Sequence, residues 1–101
     1  MKLNEKKINE FFKIINEKKI KSVFQPIVSL KTGEIVSFEA LSRITLESST
    51  LNIEELFKIA NTLEQSWKLD QLCRKCAIKA SQLIPLGKKL FINVDANILL
   101  D

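Results

Sequence analysis

Histidine is absent from this 101-residue sequence, and glycine, proline and cysteine occur twice each. The first absence bears on Cys73 and Cys76, whose C-x-x-C spacing is that of a metal or redox pair. A structural zinc ion takes four nitrogen or sulfur ligands, and with no histidine and no second cysteine pair that set is incomplete. A redox pair would stand at a helix start after a strand, whereas these cysteines fall inside a helical pattern, on its apolar side. They read as two small buried hydrophobes. Long apolar runs are also missing. Nothing approaches the ~20 consecutive apolar residues of a membrane span, and no apolar stretch follows the charged N-terminus, so a cytoplasmic protein is expected. Nor is there a disordered tract: 46% hydrophobic and 28% charged residues make an ordinary soluble globular composition, enough for one domain or part of one.

Charge is present but unevenly placed. Residues 1 to 21 hold seven lysines against Glu5, Glu10 and Glu17, which accounts for the whole net charge of +4. Ile8, Phe11, Phe12 and Ile15 recur there at helical spacing with lysines between them. This pattern predicts a leading basic amphipathic helix over 1–21 that docks its Ile/Phe stripe on a domain spanning 22–101. The lysines are then a solvated face, and neither a nucleic-acid nor a membrane-surface role is expected.

The densest patterning runs from Phe24 to Ile44, FQPIVSLKTGEIVSFEALSRI. Val23 to Leu30 is rich in β-branched and apolar residues, Lys31-Thr32-Gly33 is turn chemistry with a glycine free to take positive φ, and Ile35 to Ile44 is a second such run. Two strands joined so briefly pair antiparallel. Along the second, Val36, Phe38, Ala40 and Ile44 share one side, and Ile35, Ser37, Glu39, Leu41 and Arg43 the other. The second side carries a carboxylate and a guanidinium about 13 Å apart. Such charges are costly on a buried face unless paired or liganded, and harmless on a solvent-facing one; spacing alone leaves both readings open.

Past the hairpin the periodicity turns helical. Asn52 is placed to cap a helix marked by Ile53, Leu56, Phe57, Ala60 and Leu63, with Glu54 and Glu55 in its first turn. Leu69, Leu72, Cys73, Cys76, Ala77, Ala80, Leu83 and Ile84 mark a second, stopped by Pro85 and Gly87, with Trp67 near its start packing on the first. Lys89 to Val94 reads as a buried strand, parallel to that of Glu39 because a helical crossover separates them. It sets Phe91, Asn93 and Asp95 on one face. Asn97 to Leu100 looks like the opening of a helix that is not completed before Asp101. A sheet left open there would expose an edge, so self-association or partner dependence is expected.

Gln25-Pro26-Ile27-Val28, Thr32-Gly33-Glu34-Ile35 and Phe38-Glu39-Ala40-Leu41-Ser42-Arg43, in this order and spacing, resemble the opening of the EAL domain, the bacterial phosphodiesterase module named for its Glu-Ala-Leu signature. Leu56-Phe57 with Ala60, then Leu69-Asp70, then Ile92-Asn93-Val94 extend the likeness more loosely to the end of the chain. The resemblance implies an α/β fold, the N-terminal part of a modified (β/α)8 TIM-type barrel with one antiparallel strand. Such barrels take ~250 residues, so the chain would supply the first third to half.

The resemblance further implies hydrolysis of cyclic di-GMP to the linear dinucleotide pGpG with two divalent cations, Mg2+ or Mn2+. Carried over by position, Glu39 and Asn93 resemble metal ligands, Arg43 the arginine on a substrate phosphate, and Gln25 and Leu41 residues lining the substrate pocket. The pattern departs at Ile44, where an aromatic is common with a proline soon after, and at Asp95, where serine is usual. The family's later acidic pair, catalytic lysine and remaining glutamate ligands have no counterpart. Two classes therefore stand: an N-terminal portion of an active phosphodiesterase, inactive alone, or a degenerate module that binds cyclic di-GMP or a protein partner.

Overall fold

The computed structural model of the chain describes residues 3–85 and 87–92. Asn93, Asp95 and the Asn97–Leu100 segment lie outside the described residues. Within them the order is α1 (Glu5–Asn16), β1 (Ile20–Val28), β2 (Ile35–Ile44), α2 (Ile53–Thr62), α3 (Ser66–Ala80), a 3₁₀ turn (Ser81–Leu83) and β3 (Lys89–Ile92).

The Asn4 side chain starts α1 by accepting from the Lys7 N–H at 2.9 Å. The helix stops well before residue 21. Lys19 N–H donates to the Ile14 carbonyl at 2.8 Å and Lys18 N–H to that of Ile15 at 3.2 Å, a Schellman closure with Lys18 at φ 54°. Ile20 and Lys21 then open β1, so this strand begins earlier than Val23 and gives up its expected end, Ser29-Leu30, to the turn. Ser29 is drawn out of the strand by turn bonds: its hydroxyl accepts from Lys31 and Thr32 N–H, and its carbonyl accepts from Gly33 N–H at 2.8 Å. Gly33, at φ 73°, takes the left-handed position the turn demands.

α2 begins in a capping box: the Glu55 N–H donates to Asn52 Oδ1 at 2.8 Å while the Glu55 carboxylate accepts from the Asn52 N–H. It ends as α1 does. Gln65 N–H reaches the Ala60 carbonyl at 2.7 Å, with Glu64 at φ 57°. α3 follows, and its α-helical part closes at Ala80 rather than running to Ile84. The tighter 3₁₀ winding turns Leu83 away from the stripe expected to bury it, leaving it 83% exposed. Trp67 is half exposed, while its neighbours Ser66 and Leu69 take the buried positions.

Phe11 and Ile14 of α1, Ile20, Leu51, the α2 residues Leu56, Ile59 and Ala60, and Leu69 of α3 form one buried cluster. Each large side chain there contributes about 1.5–3 kcal/mol over leaving it in water. Ile59 falls outside the expected stripe of α2 and is buried because α1 packs on that helix and widens its apolar face. The sheet has the order β1-β2-β3, with β1 antiparallel and β3 parallel to β2. α3 lies against β1 and β2, covering one sheet face.

Candidate functional site

Strand pairing decides which side chains meet. In the hairpin register Lys21 stands opposite Arg43, Val23 opposite Leu41, Gln25 opposite Glu39 and Ile27 opposite Ser37. Phe91 of β3 stands beside Glu39 on its other flank. Directly paired residues share a face, with Cβ atoms about 5 Å apart. Gln25, Glu39, Leu41 and Arg43 therefore lie together on one face of the sheet, with Gln25 and Glu39 in the same cross-strand row.

The opposite face meets the helices. Ser22, Phe24, Ala40 and Ser42 share it by the same register, and Ala40 is buried. The two cysteines belong to this side, partly buried against the core cluster as small hydrophobes and present as free thiols. Burial pushes the Cys73 thiol up to about 11; the Ser42 hydroxyl pulls the other way without offsetting it. The Cys76 thiol donates to the Ile20 carbonyl, 3.5 Å away, tying α3 to the first residue of β1. Among the described residues no group of three or more histidine, cysteine or acidic side chains gathers as a metal cage.

The Glu39 face is more open than the helix face. Glu39 and Leu41 are partly buried, Gln25 and Arg43 exposed. Phe91 is 51% exposed and Ile27 38%. The Arg43 guanidinium donates to the Ser42 carbonyl at 2.9 Å, which leaves most of its five donors for other acceptors. Alongside the carboxyl-terminal half of β2 lies a cleft of about 400 Å³ that takes in Leu41 and Arg43, though neither Gln25 nor Glu39. Its walls are largely apolar, from Ala40, Ile53, Phe57 and Ile92, with Glu54, Lys58 and Asp70 adding charge.

Two residues of this region had no part in the site read from the sequence. Asp70 is 4% exposed and bridges to Arg74 one turn on. The signal was available, since Ser66, Leu69, Asp70, Cys73 and Ala77 follow helical spacing and place Asp70 on the inner side of α3. Lys21 was assigned to the leading helix; the early stop of α1 puts it in β1, opposite Arg43. Chemically, the Glu39 face offers one carboxylate for a cation, a guanidinium for a phosphoryl oxygen and an amide for hydrogen bonding, beside apolar surface.

Comparison with known proteins gives two findings. The family model described as the EAL domain matches residues 8–101. Among solved structures, the chain is similar to the FimX EAL domain from Pseudomonas aeruginosa, a structure determined with c-di-GMP bound. The TM-score is 0.68 at 22% sequence identity, and the match covers 93% of this chain and 38% of that one. At that identity it speaks for the fold. The chain thus spans well under half the length of the domain it matches. No curated protein matches it.

Proposed function

The chain belongs to the EAL domain family, and from that premise we propose that its Glu39 face is the opening part of a cyclic di-GMP site in a phosphodiesterase. The observation that carries the reading is the register that sets Gln25, Glu39, Leu41 and Arg43 on one accessible face. Arg43 presents a planar fork of donors suited to a phosphodiester oxygen. Leu41 in the next row offers an apolar contact, and Gln25, opposite Glu39 in the row after, an amide, for the guanine and ribose. Phe91 adds an aromatic surface beside Glu39 on which a base can stack.

Metal binding fits the described residues in part. Glu39 is one hard oxygen ligand, whereas Mg2+ takes about six. The described residues alone do not make that site, so Glu39 is proposed as one contributor to it, with Asn93 a second from outside the described residues. Mg2+ or Mn2+ remain the ions implied by the family. A second reading is a degenerate module that holds the nucleotide without cleaving it. A cytoplasmic setting belongs to the proposal as well. No helix of the described residues is long and apolar enough to cross a membrane.

Calorimetry with cyclic di-GMP, with and without Mg2+, tests binding, and chromatographic detection of linear pGpG tests turnover. Arg43→Ala is expected to weaken the nucleotide at least tenfold, about the loss of one charge-assisted contact. Glu39→Ala is expected to remove the Mg2+ dependence. Product formation marks a hydrolase, Arg43-dependent binding supports the nucleotide site with or without product, and an unliganded wild-type protein in both assays would end the cyclic di-GMP reading.

A further inference from the structure

We propose that Lys21 and Arg43 together form a phosphate seat, with Lys21 as a binding residue that the EAL signature does not contain. This rests on the phosphodiester reading for its natural ligand, though not for its geometry. Lys21 is the second residue of β1 and Arg43 the last but one of β2, and they are direct partners in the antiparallel register. Paired residues project to the same face, so two cations stand side by side, both exposed, in the row beyond Leu41.

That pairing is unfavourable by itself. Like charges directly opposite on a sheet repel, and an anion bound between them relieves the repulsion. No acidic side chain among the described residues bridges either cation. The only ion pair found there joins Arg74 to Asp70, and the described contact of Arg43 is to the neutral Ser42 carbonyl. The two groups also differ usefully. A guanidinium engages two oxygens in a fixed plane, while an ammonium on a flexible stem approaches a third oxygen as a point charge. A tetrahedral phosphoryl group between them satisfies both. A carboxylate, planar with two oxygens, satisfies the fork and leaves the ammonium with less.

The position within the sheet sets what the phosphoryl group belongs to. Leu41 and Val23 form the next row and Glu39 and Gln25 the one after. An ester whose phosphate sits on Lys21 and Arg43 therefore runs its organic part over Leu41 and Val23, toward the Glu39 carboxylate. The seat thus favours a phosphate ester with an attached apolar or aromatic group over free inorganic phosphate.

The test uses the whole chain with two probes, a fluorescently labelled cyclic di-GMP followed by anisotropy and inorganic pyrophosphate followed by calorimetry. Lys21→Met keeps the side-chain stem and removes the charge; it is expected to raise the Kd for each probe at least fivefold, with circular dichroism unchanged. Lys21→Arg is expected to restore affinity to within twofold, and Lys31→Met, at the hairpin turn, to have no effect. Because both cations act on one phosphoryl group, Lys21→Met combined with Arg43→Met is expected to lose less than the product of the single losses. The seat is overturned if Lys21→Met binds both probes like the wild type, or if the wild type binds neither. Binding of pyrophosphate with Lys21 dependence but no binding of cyclic di-GMP leaves the seat standing and removes the nucleotide assignment.

Discussion

Burial and charge act on single residues here in ways that chemistry can read. Cys73, its thiol raised to about 11 chiefly by burial, holds almost no thiolate at pH 8. Its alkylation by iodoacetamide at that pH is expected to run at least tenfold slower in the folded protein than in urea; peptide mass spectrometry follows it site by site. Equal rates would mean that α3 opens readily from the hairpin. The sign for stability follows: the folded state favours the neutral thiol, so this contribution is present below the unfolded value near 9 and is lost as pH rises through about 11. At this scale the sequence was legible wherever strand alternation governs. Glu39, Leu41 and Arg43 share a face because they are two residues apart, and no tertiary fact is needed to see it. Lys21 was not legible, because its place depends on where α1 stops, and Asn93 lies outside the described residues.

Helix ends explain that failure. Glycine usually marks them, and this chain spends its two glycines elsewhere, Gly33 at the hairpin and Gly87 before β3. α1 and α2 instead close on Lys18 and Glu64, both in the left-handed region. A side chain costs ~1 kcal/mol or more there, which glycine avoids. Glu64→Gly is therefore expected to raise unfolding stability by ~0.5–1 kcal/mol in urea titration, since the gain at φ 57° outweighs the extra freedom of the unfolded chain. By contrast the start of α2 was legible, because Asn52 is a strong cap residue with Glu54 and Glu55 in the first turn behind it. A second contact binds elements far apart in the chain: the Glu10 carboxylate of α1 accepts from the Thr50 N–H at 2.6 Å and its hydroxyl at 3.1 Å, just ahead of α2. Desolvation raises the pKa of Glu10, but these bonds, with Ser49 and Leu51, outweigh it and hold it below its ordinary value. A depressed carboxylate stabilises above the unfolded value, 4.5, and the benefit is lost as pH falls below it. Thermal melts from pH 6 to 3 are expected to show this loss, and Glu10→Gln to be less stable at pH 6 yet less sensitive to acid.

At the largest scale the governing fact is that, among the described residues, helices cover the sheet on one face. α3 packs on the side of Ala40 and Ser42, while the side of Glu39 presents Ile27 and Phe91 to solvent, flanked by Val23 and Leu41. A sheet with an apolar face buries it against a second layer. The matched part of the FimX EAL domain is 38% of that chain; the 101-residue polypeptide, prepared by itself, is the species whose behaviour tests how that face is satisfied. Its edges are not equivalent. β1 carries Pro26, which has no N–H to offer, and Lys21, both of which discourage strand addition, whereas β3 presents an outer edge with neither proline nor glycine among Lys89–Ile92. Association is therefore expected through β3 and the apolar face rather than through β1. Light scattering coupled to gel filtration, from about 5 to 200 μM, is expected to show a mass rising above 11.6 kDa with concentration. Phe91→Ser is expected to shift the rise to at least fivefold higher concentration, because it removes the largest exposed apolar contact on that face, and Lys21→Glu on β1 to leave it unchanged. A mass constant at 11.6 kDa across that range would mean that the open face is tolerated in water. Sensitivity to Lys21→Glu instead would assign the contact to the β1 edge.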